Sequence, residues 1–161
     1  MIQGDREVRA TLWAVMQRDL RAIAKMNGQL AGLAEGLDVL EPEYRDLAAV
    51  AYTLHNLYSA LENSFEQISR SCENHVTDPA QWHKELLDKM FLEIPGVRPA
   101  VLDERTRRLL SDLRGFRHVF RHSYDFDIDP NRLKPLLSRW AAGNRDVIDS
   151  LENFAADLLQ E

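Results

Sequence analysis

One run of apolar residues constrains this chain more than any other. Leu47, Ala51, Leu54, Tyr58, Leu61, Phe65, Ile68 and Cys72 alternate in steps of four and three. Those steps average close to the helical period, so all eight side chains fall on one face of a long helix. A strand would require alternation by two. A helix this long with one continuous apolar stripe needs antiparallel neighbours along its length to cover it. Its expected start is Glu41-Pro42-Glu43, with proline at an early position and acids in the first turn. The opposite face carries His55, Ser59, Glu62 and Glu66. We read it as solvated, the alternative being that His55 and Glu62 look towards a basic segment later in the chain.

The neighbours are legible by the same period. Upstream, Asp5 is the expected N-cap of a helix reaching about Ala34, with Leu12, Met16, Leu20, Ile23, Leu30, Leu33 and Leu37 on its stripe. Gly28, Gly32 and Gly36 lie four apart and predict fraying of its second half. Downstream, Asp78 and Pro79 open a short helix to about Phe91 that buries Trp82, Leu86, Leu87 and Met90. His75 and His83 stand alone in sequence and read as surface histidines. The segment from Glu93 to Pro99 holds two prolines and a glycine, so it is a connector. Asp103 caps a fourth helix, and Asp129-Pro130 opens a last one to about Leu159. The last helix carries Leu133, Leu137, Trp140, Asn144, Val147, Leu151, Phe154 and Leu158 at like spacing. Five helices, no strand and short connections predict an all-α up-and-down bundle forming one domain over residues 1–161.

Composition bounds the setting. The single cysteine, Cys72, excludes an internal disulfide and a multi-cysteine metal site, and its place on the stripe predicts a buried structural thiol. No apolar run approaches the roughly 18 residues of a membrane span, and the first residues lack an apolar signal core. A cytoplasmic setting with no membrane partner is expected. The formal net charge of −6 argues against a general nucleic-acid binder. The charge is uneven, however: residues 103–124 hold six arginines against only Asp103, Glu104 and Asp112. A polyanion would be steered to that patch alone.

Within the patch, Arg114-Gly115-Phe116-Arg117-His118-Val119-Phe120-Arg121-His122-Ser123-Tyr124 closes the fourth helix. Residues three and four apart share a face, so Arg114, Arg117, His118 and Arg121 form a cationic ridge, with His118 one turn before His122. Leu109, Leu110, Leu113, Phe116 and Phe120 would anchor the other side. Cations at a helix C-terminus gain about 0.3–1 kcal/mol each from the macrodipole, which accounts for one or two of them. Neighbouring cations repel by about 1 kcal/mol per close pair in water. A solvated helix end and a phosphodiester site are both compatible with the pattern. The second uses arginine forks to hold phosphate oxygens and histidine to move protons near neutral pH. Arg117 and His122, five apart, point about 140° away from each other on a regular helix. Either the backbone leaves the helix before His122, or a second copy of the chain completes the site. His118, His122 and Asp125 also have metal-ligand spacing, but three adjacent arginines would repel a divalent cation. We assign no metal and no cofactor.

The spacing Arg117-x4-His122-x-Tyr124 matches the Arg-x(4–6)-His-x-Tyr motif of HepT-like toxins, members of the HEPN helical-bundle superfamily, and His118 fits the polar residue favoured after the arginine. Residues Leu54 to Glu62, Trp82 to Leu87 and Ile94 to Pro99 also resemble bacterial HepT-like ribonuclease proteins, over most of the chain from about residue 42 onward. The resemblance implies the toxin of a toxin–antitoxin system: a metal-independent, homodimeric endoribonuclease with a composite site at the dimer cleft. It implies that Arg117 holds the scissile phosphate, that His122 is the general acid–base, and that Arg114, His118 and Arg121 support RNA binding. Tyr124 would contact RNA or accept an adenylyl group from an MNT-type nucleotidyltransferase antitoxin. A non-catalytic helical companion that presents nucleotide or substrate to such a nucleotidyltransferase is the competing reading.

Overall fold

The computed structural model describes residues 5–73, 82–122 and 127–160. Helix α1 spans Arg6–Leu37, α2 Tyr44–Glu73, α3 Trp82–Met90, α4 Arg107–His122 and α5 Pro130–Asp157. Among the described residues there is no strand, only a single bridge between Ile94 and Arg98. The all-α bundle expected from periodicity is what the chain adopts.

Four long helices close a ring in which α1 packs on α2, α2 on α4, α4 on α5 and α5 back on α1. Cross-helix contacts give each pair an antiparallel sense. Asp19 accepts from Asn63 and Ser64, while Gly36 abuts Asp46. Arg117 meets Ser59, Asp112 pairs with Arg139, and Asp103 N–H meets Ser150. Arg9, near the start of α1, donates to Gln160 O beyond the end of α5, and Lys134 donates to Val39 O at the other end. Helix α3 lies outside the ring against α2 and α4.

The eight-residue stripe is the spine of the core. Leu47, Ala51, Leu54, Tyr58, Leu61, Phe65 and Ile68 are all buried, and Trp140 of α5 is buried opposite. Cys72 is only half-buried, because the stripe runs out at the end of α2. Burial still pushes its thiol up to about 11, outweighing the opposing pull of Arg98. Trp82 is likewise half-buried, packed on the rim of the core.

Helix boundaries depart from expectation in two places, each for a local reason. Helix α1 continues unbroken through its glycines to Leu37, since Ile23 before them, Leu30 among them and Leu37 after them are buried. Gly36 lets α2 approach, because a Cβ there would stand 3.0 Å from Asp46 Cγ. Helix α2 begins at Tyr44 rather than at Pro42: the first bonds of its opening turn run to Glu43 O, so proline stands just outside. The acidic caps are where they were expected. Asp5 accepts from Glu7 N–H and Asp129 from Asn131 N–H. Asp103 caps a 3-10 turn, Glu104–Thr106, that leads into α4. Asp78, Pro79 and His75 lie outside the described residues.

The connector after α3 is held by a buried arginine. Arg98, 2% exposed, donates through Nε to Glu73 Oε1 at 2.9 Å and through its terminal nitrogens to Glu73 and the carbonyls of Lys89, Leu92 and Pro99. Lys89 Nζ takes the other Glu73 oxygen at 3.0 Å. Gly96, at φ 75°, makes the turn between Ile94 and Arg98.

Candidate active site

The ridge lies on the flank of α4 that faces α2, and its members differ sharply in setting. Leu109, Leu110 and Leu113 are buried beneath it, with Phe116 and Phe120 packed at the edge of the core. His118, Arg121 and His122 are exposed, whereas Arg114 and Arg117 are half-buried. The His118 and His122 rings are one turn apart with centroids 4.7 Å from each other. A groove of about 450 Å³ on the other flank of α4, towards α5, is lined by Asp112, Phe116, Val119, Arg132 and Arg139 and by none of the ridge cations.

Arg117 is the anchored member. Its Nε donates to Ser59 Oγ at 3.0 Å, and its Nη2 stands 3.4 Å from Glu62 Oε1. The arginine side chain keeps 14% of its surface in solvent, so the guanidinium is braced on one side and open on the other. Glu62 is not part of a solvated face. It is 6% exposed, and its second oxygen, Oε2, accepts from His83 Nδ1 at 2.8 Å. His83 is therefore no isolated surface histidine. The His55 ring lies 5.1 Å from Phe120, so of the two readings of this α2 face the one directed at the basic helix holds.

Burial and electrostatics agree on this corner. An isolated carboxylate with 6% exposure would be strongly disfavoured, and the adjacent guanidinium and imidazole offset that cost. Tyr58 sits one turn before Glu62, fully buried, with its hydroxyl making no hydrogen bond among the described residues. Burial, reinforced by Glu62, raises its phenol well above the ordinary value. Arg114 Nε is buried nearby without a hydrogen-bond partner among the described residues.

Helix α4 stays regular through His122. Within one chain Arg117 and His122 therefore project about 140° apart: Arg117 leans onto α2, and His122 points to solvent. One chain does not bring these two groups onto a single small group. Tyr124 lies outside the described residues, as does Asp125 of the alternative metal set. Among the described residues no three His, Cys, Asp or Glu side chains converge, and no helix is long and apolar enough to cross a membrane.

Sequence reasoning located the cations but not the braces. Ser59 was visible only as a polar position opposite the α2 stripe and Glu62 only as the alternative reading of that face, and His83 gave no signal, because its partner is 21 residues away.

No curated protein and no solved structure matches the chain. The family model described as HepT-like protein matches residues 49–158, from the second turn of α2 through the end of α5, and so includes Ser59, Glu62, His83 and the whole of α4. With a bundle of the expected kind and a match over more than half its length, the chain belongs to the HepT-like family.

Proposed function

We propose that this protein is the toxin of a two-gene toxin–antitoxin pair and cleaves RNA without a metal, as a homodimer. The observation that carries the reading is Arg117-x4-His122 at the end of α4 in a HepT-like chain, with the arginine braced and the histidine exposed. In this scheme His122 takes the proton from a ribose 2′-hydroxyl, and the 2′-oxygen attacks the adjacent phosphorus. The bond to the 5′-oxygen breaks, that oxygen takes a proton from the His122 imidazolium or from water, and a 2′,3′-cyclic phosphate remains. Arg117 stabilises the extra negative charge on the pentavalent phosphorus. Arg114, His118 and Arg121 extend the cationic track for neighbouring phosphates. Tyr124 is assigned to RNA contact or to adenylylation by an MNT-type nucleotidyltransferase antitoxin.

The direct experiment incubates pure protein with RNA in EDTA and identifies the product ends. Cyclic phosphate ends, absent from His122→Ala, are expected. Cleavage abolished by EDTA would falsify the metal-free scheme. In cells lacking the antitoxin, wild type should arrest growth and His122→Ala should not.

The ion pair of Arg117 with Glu62 is the one observation that favours a second reading, a non-catalytic helical companion of a nucleotidyltransferase. In that case a complex with the nucleotidyltransferase would keep its activity in Arg117→Ala.

A further inference from the structure

The carboxylate of Glu62 has two partners, and they do unequal work. His83 Nδ1 lies 2.8 Å from Oε2, whereas Arg117 Nη2 lies 3.4 Å from Oε1. The first is a short directional hydrogen bond, and the second is longer than charge-assisted bonds usually run. The imidazole therefore sets the torsions of the carboxylate, and the carboxylate in turn draws the guanidinium. An ionised carboxylate only accepts, so Nδ1 carries the proton in this contact.

His83 is half-exposed, but the helix that carries it is anchored. Leu86, Leu87 and Met90 bury the face of α3, and the imidazole meets the Trp82 ring edge-on with centroids 5.1 Å apart. The other tie on Arg117 is similarly oriented. Ser59 Oγ gives its proton to His55 O at 2.9 Å, leaving a lone pair for Arg117 Nε. Two contacts from α2 thus fix the guanidinium plane, and His83 of α3 braces one of them.

We infer that His83 is a positioning residue for Arg117, acting through Glu62. The inference rests on the reading of Arg117 as the group that meets the reacting phosphate. Without the imidazole, Glu62 loses its fixed orientation, and only Ser59 holds the plane. Misplacement of a reacting group by about 1 Å costs up to about 100-fold in rate.

The test uses the full chain with His83→Asn, whose amide nitrogen can occupy the Nδ1 position, and His83→Leu, which has no donor. In isotope-labelled protein, the Arg117 Nη–H resonances are identified by their loss in Arg117→Lys, and their exchange with water is measured. Slow exchange is expected in wild type and His83→Asn, and clearly faster exchange in His83→Leu. With RNA, His83→Leu should lose about 10- to 100-fold in kcat with little change in KM, and His83→Asn should recover most of that loss. An Arg117 resonance unchanged in His83→Leu overturns the inference, as do equal kcat losses in the two variants. Loosened Arg117 in a protein that cleaves no RNA at all leaves the brace standing and removes the ribonuclease reading instead. If His83→Leu does not fold, His83→Gln, whose longer amide misses the Nδ1 position, takes its place in the same comparison.

Discussion

Arg117 and His122 carry one proposed reaction from opposite environments, and their substitutions should separate accordingly. Removing the guanidinium leaves the buried Glu62 carboxylate with His83 alone. Breaking one side of a buried pair costs on the order of 3 kcal/mol. His122 is exposed and, among the described residues, meets the neighbouring His118 ring, so His122→Ala should stay within about 0.5 kcal/mol of wild type. Urea denaturation of the two variants checks this, and equal midpoints would mean that Arg117 contributes nothing to the fold. The consequence for enzymology is practical: lost cleavage in Arg117→Ala mixes catalysis with stability, whereas in His122→Ala it reports catalysis. The same contrast separates what the sequence showed, both motif residues, from what it did not, the setting of Arg117. A cationic ridge is a local pattern, but the partners that bury Arg117 come from 55 and 58 positions away, and the polar face that holds them does not say which cation they meet.

At the scale of helices, what was legible was the apolar period, and what was not was polar pairing across the chain. The eight-residue stripe placed α2, and acidic caps placed the starts of α1 and α5. The Arg98–Glu73–Lys89 cluster joins the end of α2 to the connector and was invisible, because its members are 25 and 16 positions apart with no repeating interval. It has a pH signature. Burial raises the Glu73 carboxyl, but the hydrogen bonds from Arg98 and Lys89 outweigh that and hold it below its ordinary value. A depressed folded value stabilises above the unfolded one, about 4.3, and is lost as pH falls through the folded value. Glu73→Gln should therefore be less stable at neutral pH by on the order of 3 kcal/mol, since it leaves a fully buried guanidinium uncompensated. Its deficit should shrink below about pH 4. A gap that stays constant between pH 7 and pH 3 would remove the linkage. The glycines of α1 divide by what a methyl group would meet. A Cβ at Gly28 or Gly32 meets nothing within 4 Å, so each change to alanine should add about 0.5–1 kcal/mol through helix propensity. Gly36→Ala places its methyl against Asp46 and should forfeit that gain. Thermal melts of the three single variants decide it, and a stabilised Gly36→Ala would show that the α1–α2 contact has slack.

For the whole molecule, the regularity of α4 through His122 bears on how many chains make a site. Two groups 140° apart on one rigid helix cannot converge on one phosphate, so the proposed reaction draws Arg117 from one protomer and His122 from its partner. Two-fold symmetry then yields two identical sites per dimer. The consequence is a complementation experiment. Arg117→Ala and His122→Ala are each expected to be inactive alone, since every site in either homodimer lacks one group. Mixed and allowed to exchange, half the dimers become heterodimers, and each of these holds one intact site and one doubly deficient site. The mixture should recover about a quarter of wild-type cleavage. Arg117→Lys is included as a second partner for His122→Ala, because a cation at 117 keeps Glu62 compensated and separates failure to fold from failure to complement. No recovery from either mixture, with heterodimers demonstrated by differently tagged chains, would mean that both groups act from one protomer. The C-terminal turn of α4 would then have to unwind when RNA binds.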